Sequence, residues 1–444
     1  MSLSPSQIHP GAISVSPLGR PFRATITPPG SKSQTNRYLM LAALSAGTST
    51  LHRPLRALDT DLFMDALDAM GLSIAREDDL VRVTPRGARA SGGVAVNLGD
   101  GGTPTRFLMA IASLARRPVT VDGSERMRQR PIAEGVEMLR ALGARVDYLE
   151  AEGRLPVRVG GGSIPIGGTL EVGRTASSQF VSAVLLLAPR LERGVDLFVT
   201  GESLTTPSYV ELTLDAMRSW GIAFDLCRDA QGRLTRITVP PASLAASARS
   251  IEPDASSAVY FLGAAALVRD ARITIAGLPR LSMQPDAACL RALVSMGAHE
   301  WSGPHGMGLE GTATLNGVDL DGSQWPDGAL CVAAVASMAR GRTRIRGLET
   351  LKVKESNRIQ VLAEEFARLG THVETTDHSI VIDPHKSSPR PGVVDPRGDH
   401  RIAMTFGVLG LVRPGISIAD PGCVAKSYPQ FWSDLARLAE PPAG

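Results

Sequence analysis

Cysteine is scarce. Cys227, Cys289, Cys331 and Cys423 are the only four in 444 residues, and no two form a C-x-x-C pair, which argues against a disulfide framework and a cysteine-based zinc site. The 8 His residues include no H-x-x-x-H pair, so no structural metal is expected. No apolar run approaches the roughly 18 residues of a membrane span, and Met1–Pro21 lacks the apolar segment of a signal peptide. Charge of one sign is also missing. A net charge of +3 is too small for the basic field that nucleic acid requires, so any preference for anions has to be local. These absences lead to the expectation of a cytoplasmic protein with no nucleic-acid or membrane partner, its thiols serving as small core residues.

What the chain does contain is ordinary globular composition, 43% apolar and 20% charged, and a repeat. Its length exceeds what one core supports and suits two domains of roughly 200 residues. Six polar clusters open directly into apolar helix patterns: Ser31–Arg37, Gly101–Arg106, Ser177–Gln179, Asp254–Ser257, Pro326–Gly328 and Gly398–Arg401. They recur about every 70 to 80 residues, the signature of a repeat architecture. The helices they open are predicted at Asn36–Ala46, Thr105–Leu114, Phe180–Leu187, Ala258–Val268, Ala329–Ala339 and Ile402–Leu411. Each is apolar on nearly every side, which predicts burial all round.

A second, amphipathic helix follows each one, at Asp59–Met70, Ile132–Leu142, Val210–Trp220, Ala287–Met296, Gln360–Leu369 and Gln430–Leu438. Gly71, Gly143, Gly221, Gly297 and Gly370 stop the first five. Six units divide as three plus three, with buried helices inside and strands outside, an unusual α/β layering. A boundary is expected in Ala242–Pro253 and a second crossing at Pro28–Gly30, with the strand Phe22–Ile26 added to the other domain's sheet. The domains are then 30–251, and 1–29 with 252–444, the active site lying in the cleft between them.

Helix N-termini carry unpaired N–H groups and partial positive charge, so several together suit a substrate with more than one anionic group. In PPGSKSQTNR, Ser31 and Ser33 are cap-type residues, Lys32 is a point charge, and Ser33 and Arg37 share a helical face. In DGGTPTR, Thr103 suits an N-cap and Pro104 the first helical position, Gly101 and Gly102 permit close approach of a ligand, and Arg106 lies one turn inside. RMRQRP sets Arg126 and Arg130 four apart, with guanidinium geometry suited to carboxylate or phosphate. KVKESNR places Glu355 between Lys354 and Arg358, which lowers a carboxylate's pKa unless burial or a bound anion competes. GDHR puts His400 and Arg401 at a buried helix start, an odd place for polar residues that face no ligand. Each segment alone also fits a capped helix or a solvated charged face.

Together these segments closely resemble the 5-enolpyruvylshikimate-3-phosphate (EPSP) synthase family of the enolpyruvyl transferases. The resemblance runs in order through PPGSKSQTNR, LGDGGTPTR, ERMRQRP, SSQF, DASSAVYFL, VKESNRI, GDHRIAM and DPGCVAKSYP. It implies a two-domain inside-out α/β barrel of six βαβαββ units. It also implies addition of the 5-hydroxyl of shikimate 3-phosphate to C2 of phosphoenolpyruvate, followed by loss of phosphate, without a cofactor. Shikimate 3-phosphate would then meet Lys32, Ser33, Arg37, Ser177, Ser178, Gln179, Thr206, Tyr209, Asp286 and Lys354. Phosphoenolpyruvate would meet Lys32, Gly102, Arg130, Gln179, Arg358, Arg401 and Lys426, with Thr103, Arg106 and His400 in support.

Asp286, in SMQPD, is expected to take the hydroxyl proton, and Glu355 with Lys32 to handle the methylene proton. The Asp254–Ser257 and Pro326–Gly328 clusters receive no ligand contact and read as structural caps. The chain departs from the family's common pattern at Asp100-Gly101, Phe107, Thr206 and Thr350, which bears on affinity for phosphoenolpyruvate and for the family's inhibitor, glyphosate. A monomer is expected. Two competing readings are the sibling UDP-N-acetylglucosamine enolpyruvyl transferases, which carry Lys-Asn in the first cluster where this chain has Lys32-Ser33, and a non-catalytic anion-binding protein.

Overall fold

A computed structural model describes residues 11–86, 93–201, 204–304 and 306–440; the stretch read above for a leader thus lies partly outside the described residues, at Met1–Pro10. Each polar cluster leads into a helix: α1 (Lys32–Leu44), α2 (Gly102–Ala112), α3 (Gln179–Leu187), α4 (Ala255–Leu267), α5 (Ala329–Ala336) and α6 (His400–Gly410). Beyond their polar first turns these helices are apolar and almost wholly buried. In α4 every residue from Ser257 to Ala266 is buried. Ser31, Asp254 and Asp399 cap α1, α4 and α6, accepting from the backbone N–H of Gln34 (3.4 Å), Ser257 (2.7 Å) and Arg401 (3.0 Å).

Several of these helices start earlier than expected, so the polar clusters form first turns. The assignment of Thr103 as N-cap and Pro104 as first residue of α2 is corrected on the same ground. Gly101 N–H closes a turn onto Leu98 O at 3.0 Å, and the first helical bond runs from Thr105 N–H to Gly101 O at 3.0 Å. Gly101 is therefore the cap.

The amphipathic partners lie at Leu58–Ala69, Ala133–Ala141, Pro207–Ser219, Cys289–Ser295, Arg358–Arg368 and Phe431–Ala436. The glycine after the fifth illustrates why these stops are glycine: Gly370 has φ +74°, and a Cβ there would sit 1.9 Å from Ser388 O.

The chain forms two compact units, Gly30–Glu252, and Met1–Pro29 with Pro253–Gly444. Within the first, α1, α2 and α3 pack on one another in a core that includes Leu39, Met40, Phe107, Leu108, Val184 and Leu185. Within the second, α4, α5 and α6 do the same around Phe261, Leu262, Val332, Ala333, Phe406 and Val408. Strands surround each trio. Gly168–Val172 runs parallel to Val195–Val199, followed by antiparallel Leu234–Val239 and Asp225–Arg228. This is the pairing a βαβαββ unit produces, and it recurs in the sheets beginning at Val94–Asn97 and Asp319–Asp321.

Two further sheets borrow their leading strand. Ala248–Ser250 pairs parallel with Ser49–His52. The N-terminal Arg23–Ile26 pairs parallel with Arg272–Ala276, so the strand expected to join a distant sheet does join one. The sixth unit corrects the expectation of six equal repeats. Gly392–Val394 and Ile416–Ile418 are parallel, but the antiparallel neighbour is Ile13–Ser14. After Ile418 the chain is taken up by the Pro421–Lys426 turn and the last helix, leaving no hairpin of its own. Among the described residues no helix is long and apolar enough to cross a membrane.

Candidate active site

In the unit Gly30–Glu252, the candidate residues sit at the first turns of α1, α2 and α3 and in the adjoining loops. Lys32 opens α1 and its Nζ lies 3.3 Å from Asp59 Oδ2. Arg37, one turn on, is 2% exposed. Its Nε donates to Thr213 Oγ1 at 2.9 Å, and its terminal nitrogens donate to the carbonyls of Ser33 (3.0 Å) and Tyr209 (2.9 Å) and to Ser182 Oγ (3.3 Å). These bonds brace α1, which also carries Ser33, against α3 and Pro207–Ser219. Burial pushes its pKa down to about 10.

The second group converges more tightly. Arg130 follows the short Glu125–Gln129 helix, capped by Ser124 at Met127 N–H (3.1 Å), and donates to Asp100 O at 3.3 Å. Asp100, one of the departures from the family pattern, accepts from the Ser124 hydroxyl. A Cβ built on Gly102 would lie 2.7 and 2.8 Å from the Arg130 terminal nitrogens and 2.9 Å from Arg106 NH1, so the missing side chain is what lets two guanidinium groups close over the start of α2. Arg106 also donates to Gln179 Oε1 and lies 4.7 Å over the Phe180 ring. Ser178 caps α3, and Gln179 N–H donates to Ser177 Oγ at 3.3 Å. Thr206 holds φ +43° at the cap of Pro207–Ser219, where the chain turns into the helix whose first turn carries Tyr209. Thr103 is half-buried in the first turn of α2.

In the other unit a buried carboxylate organises the cations. Asp327 Oδ1 meets Arg358 NH1 at 2.8 Å and Lys354 Nζ at 3.2 Å, while its Oδ2 meets Arg401 NH2 at 3.4 Å. Arg358 also holds Asp399 (2.7 Å) and Glu355 (2.8 Å), and Glu355 Oε1 lies 3.2 Å from Lys426 Nζ. Burial alone would raise the Asp327 pKa; Lys354, Arg401 and Arg358 overcome it and hold the carboxyl well below the usual range. Burial likewise opposes the charge on Arg358, but Asp399, Glu355 and Asp327 outweigh it and raise its pKa. His400 is wholly buried in the first turn of α6, its Nδ1 3.8 Å from Asp399. Lys354 and Glu355 precede the Arg358–Arg368 helix in a loop capped by Asn357, so their shared surface is built by tertiary contact and not by helical spacing.

Asp286 is set apart from these cation pairs. It is 1% exposed. Its Oδ2 accepts from the Ser256 hydroxyl, and its Oδ1 accepts from Gly328 N–H at 3.1 Å. Two clusters read as plain caps thus contact candidate site residues: Ser256 belongs to the fourth, Asp327 and Gly328 to the fifth. The sequence signal was available, an Asp-Gly pair ahead of an Ala-rich buried helix, but a cap explains such a pair equally well. Asp399 and Asp59 were missed for the same reason. Among the described residues no group of three or more His, Cys, Asp and Glu side chains is arranged to hold a metal ion.

Comparison with known proteins gives a consistent picture. Residues 18–435 match the family described as EPSP synthase (3-phosphoshikimate 1-carboxyvinyltransferase). A 3-phosphoshikimate 1-carboxyvinyltransferase from Methanoculleus marisnigri is 37% identical over 94% of this chain and 96% of its own. Another from Methanosphaerula palustris is 38% identical over 94% and 97%. A solved EPSP synthase from Acinetobacter baumannii is similar with a TM-score of 0.78 at 25% identity, covering 96% of this chain and 97% of that one. The enolpyruvyl transferase NikO from Streptomyces tendae shares the fold, with a TM-score of 0.74 at 17% identity. From its sequence, its repeats and these likenesses, the chain belongs to the EPSP synthase family.

Proposed function

We propose that the protein transfers the enolpyruvyl group of phosphoenolpyruvate to the 5-hydroxyl of shikimate 3-phosphate, in the shikimate route to aromatic amino acids. The hydroxyl oxygen bonds to C2 of phosphoenolpyruvate while its proton leaves to a base and C3 gains a proton. The tetrahedral intermediate then loses phosphate from C2 and a proton from the new methyl group, restoring the double bond. Both substrates bring a phosphate and a carboxylate, which suits the Arg, Lys and helix-start donors of both units. In this reading Lys32, Ser33, Arg37, Ser177, Ser178, Gln179, Thr206, Tyr209 and Lys354 serve shikimate 3-phosphate. Gly102, Arg130, Arg358, Arg401 and Lys426 serve phosphoenolpyruvate, and Glu355 with Lys32 handles the methylene proton.

One observation carries the assignment of the base: Asp327 contacts Lys354, Arg358 and Arg401 directly. Asp286, the expected base, is turned to Ser256 and Gly328 and is 1% exposed. We therefore assign the hydroxyl proton to Asp327. Substrate anions that engage its cations withdraw the charge that depresses its pKa, so basicity rises as the substrate arrives.

The test is phosphate release from phosphoenolpyruvate with shikimate 3-phosphate as acceptor and UDP-N-acetylglucosamine as control. Turnover is expected with the first alone; none with it refutes the reading. Asp327→Asn is expected to lower kcat by about 10²- to 10⁴-fold, the range for general-base loss. The nucleotide-sugar reading is disfavoured by Lys32-Ser33 in the first cluster and by the family match. A cytoplasmic form comes into this reading from the sequence's scarce cysteines and lack of long apolar runs, and a monomeric form and inhibition by glyphosate come with the family assignment; sizing chromatography, cell fractionation and an inhibitor titration test them.

A further inference from the structure

Asp286 ties together three pieces of chain. Through Ser256 it holds the first turn of α4, itself capped by Asp254. Through Gly328 N–H it holds the start of α5, one residue after Asp327. Its own turn, Pro285–Ala288, is fastened to the same helix start by Gln284, which accepts from Ala255 N–H at 2.9 Å and donates to Pro253 O at 2.8 Å. Gly328 has no room for a side chain: a Cβ there would lie 2.2 Å from Cys289 Sγ and 3.3 Å from Asp286 Oδ1. The peptide that carries Asp327 is thus held by Asp286 and packed on Cys289, and the Asp327 carboxylate reaches Lys354, Arg358 and Arg401.

We infer that Asp286 is a positioning residue for the reaction, fixing the backbone of Asp327 through Gly328 and facing it with a second negative charge. This rests on Asp327 being the base. The groups that face Asp286 are Asp327, Arg401 and Cys289, together with the Ser256 hydroxyl and Gly328 N–H. Burial first, then Asp327, pushes its pKa up to about 6, against Arg401, Ser256 and Gly328. Near neutral pH its charge raises the basicity of Asp327; protonation below about pH 6 removes that help.

Asp286→Asn keeps an acceptor for Gly328 N–H and removes the charge, whereas Asp286→Ala removes both. With shikimate 3-phosphate and phosphoenolpyruvate, Asp286→Asn is expected to lower kcat about 10-fold and Asp286→Ala about 100-fold, the scale for slight misplacement of a reacting group. Both KM values should stay within about 3-fold, since no ligand contact is lost. The wild-type kcat profile should show an inflection near pH 6 that Asp286→Asn lacks. Ser256→Ala, which leaves Asp286 in place, is expected to cost kcat about 3- to 10-fold and covers the case in which an Asp286 variant does not fold, judged by thermal melting.

Unchanged kcat and pH profile in Asp286→Asn, or in Ser256→Ala, would overturn the positioning role. So would a loss in Asp286→Asn equal to that of Asp327→Asn, because Asp286 would then be the base itself. Asp327→Asn at wild-type kcat would sink the base assignment, an outcome separate from either of these.

Discussion

Asp286 and Asp327 are both buried aspartates of one unit, and their neighbours separate them: a hydroxyl, a backbone N–H and a second carboxylate for the first, three cations for the second. The difference has a stability consequence. A carboxyl raised from 3.8 to about 6 on folding favours the folded state fully below about pH 4 and loses that contribution as pH rises through about 6. At higher pH its charge costs up to about 3 kcal/mol. Asp286→Asn should therefore raise Tm by several degrees near pH 8 and show little gain near pH 5, measured by melts across pH. Gly102→Ala supplies a second residue-scale outcome. Its methyl group displaces the Arg130 guanidinium, so KM for phosphoenolpyruvate should rise about 10-fold, roughly one charge-assisted hydrogen bond, with little change for shikimate 3-phosphate.

Cations were legible in the sequence because clustered Arg and Lys at helix starts have few structural uses. The acids that hold them were not, since Asp59, Asp327 and Asp399 each look like a helix-end residue until the cation that reaches them is known. Only five lysines stand among 47 cationic residues, and three of them, Lys32, Lys354 and Lys426, each lie on a carboxylate of the candidate site, Asp59, Asp327 and Glu355.

Among the elements, the inner helices were readable because a run such as AVYFLGAAAL leaves no polar face for water to claim, and the outer ones because a glycine ends the helix where positive φ is needed. Their N-terminal boundaries were less so: polar first turns look like loop until the backbone bonds are traced. Beyond the N-terminal strand, expected in a distant sheet, strand order was not readable from local pattern, as the strands span only two to six residues and pairing joins segments far apart. Close packing of the inner helices depends on small residues. A Cβ on Gly263 of α4 would lie 2.5 Å from Cys331 Sγ on α5. Gly263→Ala should destabilise the protein by about 1–3 kcal/mol through overpacking, and adding Cys331→Ala should restore much of it, a coupling that a double-mutant cycle in denaturant measures.

At the scale of the whole molecule, the repeat was visible as six clusters with matched spacing, while the borrowed strands depend on closing loops of about 200 to 250 residues, whose pairing no local pattern encodes in full. Residues 30–252 include every strand of their own sheets, so this fragment should melt cooperatively when expressed alone. A fragment of 253–444 lacks the partners of Arg272–Ala276 and Ile416–Ile418 and should not, unless residues 11–29 are supplied as a peptide; circular dichroism melts of both check this.

The same pairing sets a timetable on the ribosome. Arg23–Ile26 is made some 250 residues before its partner strand, and Ile13–Ser14 some 400 residues before Ile416–Ile418. Synthesis proceeds at about 5–20 residues per second, so this N-terminal segment spends on the order of 10 seconds or more as an unpaired edge while the unit between can already fold. The strands at 13–14 and 23–26 are therefore secured only after the unit between has been made, and the second unit closes only once Ile416–Ile418 is synthesised.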